Sequence, residues 1–211
     1  QIMSIEKFSV EKVLSVHRWA HNLFSFTITR PAHFKFTAGQ FARIGLMVGG
    51  ELVVRAYSVV SSPFDETLEF FSIVVPDGAF TSNLQHLKVG DELYLDKISY
   101  GYLTLARYQQ PLPQDLWLLG TGTGLAPFLC MLQDFETWNK YKHIHLVYSV
   151  RTESELAYVE RIEEIAASFG EGHSGFKFIP IVTRDPKAAL HDRLPILIGN
   201  GELEKAAGLA L

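Results

Sequence analysis

The first hundred residues carry a short apolar or alternating run about every dozen positions. The runs fall at 8–16, 23–29, 40–46, 52–60, 68–75 and 92–95. Turn-forming residues separate them: Arg30-Pro31, Ala38-Gly39, Gly49-Gly50, Ser62-Pro63, Pro76-Asp77-Gly78 and Val89-Gly90-Asp91. Six short strands at this spacing predict a small antiparallel barrel or sandwich. One stretch breaks the rhythm. Residues 81–87 read as a short helix with Thr81 or Ser82 as its N-cap. Such a helix start could hold an anion, but taken alone the stretch reads first as an ordinary capped connector.

The period changes after Tyr108-Gln109-Gln110-Pro111-Leu112-Pro113-Gln114, whose prolines and polar residues read as a linker. Residues 116–119 form a short buried strand, 125–137 a helix, His143–Val150 a strand, 153–168 a helix and 176–183 a strand. Leu156, Val159, Ile162, Ile165 and Phe169 fall on one face of the second helix. Strands alternating with helices predict parallel βαβ units. The expected division is a β domain over residues 1–107 and an α/β domain over 108–211.

Composition narrows the classes. A chain of 211 residues with 47% hydrophobic content builds a sizeable core. The formal net charge of −4, without a long basic run, argues against nucleic acid as a partner. The single cysteine, Cys130, excludes an internal disulfide and a four-cysteine iron–sulfur cluster, and its place in a helical pattern reads as a small core residue. No apolar run approaches the ~18 residues of a membrane span, and residues 1–7 carry no apolar signal core. A monomeric cytoplasmic protein without a membrane partner is expected. The eight histidines show no metal spacing, so no metal site is expected.

Two segments carry candidate chemistry. Arg55-Ala56-Tyr57-Ser58 ends an apolar strand. Alternation puts Arg55 and Tyr57 on one face, a guanidinium for phosphate beside a phenol ring for stacking. Ser58 belongs to the opposite face of a regular strand and reaches the same ligand only from a strand end or a bulge. The segment is equally an exposed cation–π pair. The second segment is Gly120-Thr121-Gly122-Thr123-Gly124-Leu125-Ala126-Pro127-Phe128, between a strand and a helix. Its glycines admit close backbone approach, and Pro127 suits the first helical turn. Unpaired N–H groups there favour a pyrophosphate, although the strict G-x-G-x-x-G spacing is absent. Arg151, Arg184 and Arg193 follow at strand or loop ends, where ligands of parallel sheets bind. Together they suit a 2′-phosphate and hence NADPH over NADH; singly they are surface arginines.

In this order the segments resemble those of the bacterial-type ferredoxin–NADP reductase family. Arg55–Ser58 resembles its flavin motif, Val75-Pro76-Asp77-Gly78 with Thr81-Ser82 its second flavin segment, and 120–128 its NADP segment. The resemblance covers nearly the whole chain. It implies an FAD-binding Greek-key β-barrel followed by an NADP-binding α/β domain. Tyr57 would pack on the isoalloxazine, Arg55 would bind the FAD pyrophosphate, and Ser58 would lie near flavin N5. Tyr57 and Ser58 are the implied catalytic pair. Ala56, Val74, Thr81 and Ser82 complete the flavin contacts. Thr121, Gly122, Thr123 and Gly124 would meet NADPH, with Arg151, Arg184 and Arg193 at its 2′-phosphate.

The implied activity is hydride transfer from NADPH to flavin, then single electrons to ferredoxin or flavodoxin. The alternatives are an NADH-dependent diaphorase or oxygenase reductase, and a non-catalytic FAD-binding electron-transfer subunit. Family members continue past the part resembling 198–211 into a strand with a Cys-Gly-(Asn/Ser)-Pro motif and a tail over the flavin. This chain stops at Leu211, so a missing strand and a missing wall of the nicotinamide pocket are expected.

Overall fold

The computed structural model describes residues 5–107 and 111–210. The alternating half becomes six antiparallel strands: β1 (Phe8–Ala20), β2 (Leu23–Thr29), β3 (Phe41–Val48), β4 (Glu51–Ser58), β5 (Thr67–Ile73) and β6 (Glu92–Asp96). Their order is β4-β3-β6-β1-β2-β5. The outer strands meet where Val59 bridges Phe70 and the Val60 N–H donates to the Glu69 carbonyl at 2.8 Å. That junction closes the sheet into a Greek-key barrel. Strand β1 runs on to Ala20, past the expected end at Val16. Its first part pairs with β6 and its second with β2, with register shifts after Val13 and after Arg18. Bulges bend a strand, which lets β1 serve both neighbours.

The helix expected at 81–87 is a single turn, α1 (Thr81–Leu84). The expected cap is corrected. Phe80 occupies the N-cap, and no side chain caps the turn. The Thr81 hydroxyl accepts from the Val75 N–H at 3.0 Å, and the Ser82 hydroxyl donates to the Ala79 carbonyl at 3.4 Å. Both hydroxyls tie their own loop and leave the helix start uncapped.

The second half builds a parallel sheet, β7 (Asp115–Thr121), β8 (His143–Val150) and β9 (Phe176–Val182), in the order β7-β8-β9. Of the expected linker, residues 108–110 lie outside the described residues, and 111–114 carry no helix or strand. The helix expected at 125–137 is two, α2 (Ala126–Leu132) and α3 (Phe135–Lys140). Asp134 breaks it, because its carboxylate accepts from the Glu136 N–H at 3.0 Å and so caps α3. The helix expected at 153–168 is also interrupted. A 3₁₀ turn covers Glu153–Glu155, and α4 (Val159–Ser168) starts only after Tyr158, whose φ is 67°. Helices α5 (Leu194–Gly199) and α6 (Glu202–Ala207) cover the other face of the sheet, against Val147, Ile179 and Ile181.

One apolar cluster joins the halves. Leu23, Val60 and Phe71 of the barrel pack with Leu125, Leu129 and Ile162 of the parallel unit. Polar groups are matched across the same junction. Gln133 Nε2 donates to the Val60 carbonyl at 2.8 Å. Glu69, on β5, is only 8% exposed. Its carboxylate accepts from the Tyr158 hydroxyl at 2.7 Å and from Arg161 Nη2 at 3.1 Å. Among the described residues no helix is long and apolar enough to cross a membrane.

Replacing Tyr158 with Phe keeps the ring and deletes one of the two side-chain donors to a buried carboxylate. Such a loss costs about 1–3 kcal/mol. Chemical denaturation should show that deficit, and an unchanged midpoint would remove Tyr158 as a structural tie.

Candidate functional site at the domain junction

Strand β4 ends at Ser58, beside the loop that follows β7. Between them lies a cleft of about 470 Å³. Arg55, Ala56, Tyr57 and Ser58 line it from the barrel; Thr123, Gly124 and Ala126 line it from the parallel unit. Arg55 and Tyr57 share a face, as alternation requires, and both reach Phe80. The Phe80 ring lies 5.9 Å from the Tyr57 ring and 5.9 Å from the Arg55 guanidinium carbon. Ser58, the last residue of the strand, lines the same cleft, as does Ala56 two residues earlier, so both parities of the strand end border it.

Tyr57 is fixed at both ends. Its ring packs on Phe80, and its hydroxyl pairs with Ser72 Oγ at 3.1 Å. Burial raises its pKa, against smaller opposing effects from Ser72 and Arg55, so the phenol is neutral at physiological pH. Cys130 is fully buried, and burial pushes its thiol up to about 12, so it is a core residue and not a reactive thiolate.

The glycine loop divides its labour. A Cβ on Gly120 would meet the Leu125 Cα and the Phe128 ring, each at 3.3 Å, so this glycine lets helix and strand approach. Nothing lies within 4 Å of a Cβ placed on Gly122 or Gly124. Gly122 has a φ of 54°, which favours glycine. Pro127 sits in the first turn of α2, as expected. Gly122 and Gly124 therefore present bare backbone to open space, the shape a close-lying phosphate or ring requires.

A second cavity, of about 420 Å³, lies over the carboxyl ends of the three parallel strands. Thr121, Gly122, Thr123, Ser149, Arg151, Glu155, Thr183 and Arg193 line it. A third, of about 690 Å³, is bordered by His21, Val74, Gln85 and Arg151. Ile73 borders all three, so they form one groove along the junction.

Thr81 lines the first cleft, and Ser82 lines none of the three. Arg184 also lines none; its side chain is exposed, and its N–H donates to the Arg151 carbonyl at 2.9 Å. The structure adds Phe80, Ser72 and Glu155, which the sequence pattern does not single out. Phe80 had a usable signal, a large aromatic directly before the suspected helix. Glu155 had one too, the Thr152-Glu153-Ser154-Glu155 capping-box spacing, although it marks a helical turn and not a cavity. Ser72 had none.

Comparison with known proteins decides the family. Residues 9–98 match an oxidoreductase FAD-binding domain, and residues 118–194 match an oxidoreductase NAD-binding domain. A ferredoxin–NADP reductase of Pseudomonas aeruginosa is 48% identical over 181 residues, 83% of this chain and 69% of that protein. One of Azotobacter vinelandii is 42% identical over 97% of this chain and 80% of its own length. The chain belongs to the ferredoxin–NADP reductase family. A crystal structure of a ferredoxin NADP⁺ reductase from Neisseria gonorrhoeae, with bound FAD and NADP, superposes with a TM-score of 0.88 at 35% identity, covering 97% of this chain and 81% of that one. As in the family, the barrel is the FAD-binding part and the parallel unit the nicotinamide-nucleotide part. The predicted two-domain fold and the predicted cofactors, FAD and NADP(H), are borne out.

The two kinds of glycine in the loop separate in their response to one methyl group. Gly120→Ala should lower the thermal midpoint by forcing helix and strand apart. Gly124→Ala should leave the stability within about 1 kcal/mol of wild type and weaken nucleotide binding. Equal midpoints for both variants would overturn this division.

Proposed function

We propose that this chain is an NADPH-dependent flavoprotein reductase that passes single electrons to ferredoxin or flavodoxin. One observation carries the reading. Two segments far apart in sequence, Arg55–Ser58 and Thr121–Gly124, border one continuous groove whose lining suits a flat ring system and a pyrophosphate. When bound, FAD accepts a hydride from NADPH and releases the electrons one at a time, chemistry that belongs to the cofactor.

The protein's own residues bind and orient. The Tyr57 ring, braced by Phe80 and Ser72, provides the stacking surface for the isoalloxazine. Arg55 holds the FAD pyrophosphate. Ser58, at the strand end, orients the flavin edge that reacts, and with Tyr57 makes the catalytic pair. Thr81 keeps its loop closed against the phosphates, and Ala56 and Val74 complete the flavin contacts, while Ser82, outside the three cavities, supports that loop from behind. Thr121, Gly122, Thr123 and Gly124 admit the nicotinamide and its pyrophosphate. Arg151 and Arg193, which share a cavity, take the 2′-phosphate, with Arg184 at its outer side. The rate advantage these groups supply is alignment of donor and acceptor atoms.

The division of the chain at residues 107 and 108 is supported by the two matched domains on either side. The protein acts as a cytoplasmic monomer. An NADH-dependent reductase is disfavoured by the paired arginines of the second cavity.

An anaerobic absorption spectrum before and after each nucleotide tests the reading. NADPH should bleach the flavin bands faster than NADH does. A protein that never carries flavin in excess FAD defeats the proposal, and bands that neither nucleotide bleaches point to a non-catalytic FAD subunit. A narrower test is Arg193→Ala. It should raise KM for NADPH roughly tenfold or more, the scale of one charge-assisted contact, with a smaller effect on NADH. Equal losses for both nucleotides would remove Arg193 from the 2′-phosphate contact.

A further inference from the structure

The cavity over the strand ends holds one acid among its bases. Arg151, Arg193 and Glu155 all line it. The Glu155 carboxylate is anchored on both oxygens. Arg151 Nη2 donates to Oε2 at 3.0 Å. The Thr152 N–H and hydroxyl donate to Oε1 at 3.3 and 3.2 Å. The Glu155 side chain is only 14% exposed, so it is not a surface acid free to swing away. Burial pushes its carboxyl up, but the hydrogen bond and charge of Arg151 and the Thr152 donors bring it below the ordinary value. It is therefore an anion at neutral pH.

The negative charge is not what the local structure needs. Thr152 and Glu155 close a capping box on the turn Glu153–Glu155. Gln closes the same motif. A neutral Gln would also still present an oxygen to Arg151. What Glu adds is one negative charge beside the guanidinium, in the cavity suited to a phosphate. A fixed carboxylate there lowers the local positive potential and weakens the hold on any arriving anion.

We infer that Glu155 is a specificity-determining residue that tempers the anion site, offsetting Arg151 so that 2′-phosphorylated nucleotides bind less tightly and leave faster than the arginines alone would allow. The inference rests on the proposed role of Arg151 and Arg193 as 2′-phosphate contacts. A nucleotide without that phosphate places no charge at Arg151 and is affected less. Glu155 thus sets how far the site prefers the phosphorylated nucleotide, trading affinity for release of the oxidised product.

Titration calorimetry on the FAD-loaded protein, with 2′-phospho-AMP and with AMP at low ionic strength, tests this. In Glu155→Gln the dissociation constant for 2′-phospho-AMP should fall roughly three- to tenfold, as for removal of one charge from a partly solvated site. That for AMP should change by less than about twofold, and the gain should shrink as salt is added. Glu155→Asp, which keeps the charge, should show no such gain. A 2′-phospho-AMP affinity in Glu155→Gln that is unchanged or weaker overturns the inference and leaves Glu155 as a support for Arg151. Equal tightening of both nucleotides overturns it too, since the charge would then act on a phosphate they share. A wild-type protein that binds AMP as tightly as 2′-phospho-AMP defeats the 2′-phosphate reading itself, before any variant is compared.

Discussion

The buried contact of Glu69 with Tyr158 and Arg161 is the constraint on which the site depends. A barrel strand normally turns one face to the core and the other to water. Strand β5 has no such second face. Leu68 and Phe70 fill the barrel, while Glu69 and Phe71 lie beneath the parallel unit. A buried carboxyl group in that position is costly unless it is paired and hydrogen-bonded. Tyr158 and Arg161 provide both, on successive turns of one chain segment. Tyr158 holds this contact from a left-handed backbone at the start of α4, unusual for a bulky residue. The strain is local, and the packing of Tyr158 against Phe71 and Trp19 holds it in place.

That contact has consequences for the cleft. Two residues along β5 from Phe71 is Ile73, which borders all three cavities. Between them Ser72 turns inward and holds the Tyr57 hydroxyl. A single strand thus joins the two halves with one face and orients the Tyr57 ring with the other. Hydride transfer is sensitive to small errors in donor–acceptor alignment. A junction closed by apolar packing, a carboxylate pair and the Gln133 hydrogen bond to Val60 resists the sliding that would introduce them.

Much of this was legible in the sequence because it follows from local rules. Alternation placed six strands and put Arg55 and Tyr57 on one face. The switch to helical spacing placed the parallel unit, and the glycine loop with Pro127 marked its first turn. What could not be read was set by tertiary contacts. Asp134 looked like one polar residue in a long helix until its carboxylate proved to cap a new one. Tyr158 fell on the apolar side of a continuous helical pattern, yet its partner lies in the other half of the chain, at Glu69. Thr81 and Ser82 had the composition of a cap, but the neighbouring loop used their hydroxyls first. Glu69 is one acid within an apolar strand run, and nothing nearby in sequence announces the unit that covers it.

The two sides of the groove solve different electrostatic problems. The barrel side offers Arg55, exposed and set over the Phe80 ring, with no acid beside it among the described residues of the cleft. The strand-end side offers Arg151 tied to an acid, with Arg193 nearby. A nucleotide that must leave after each turnover gains little from a hold as strong as the cofactor's. Affinity that acts equally on bound reactant and product slows release without lowering the chemical barrier. A resident cofactor carries no such penalty, because it is not exchanged. Arg151 is paired with Glu155, whereas among the described residues no acid lines the Arg55 cleft. That is the arrangement the difference calls for.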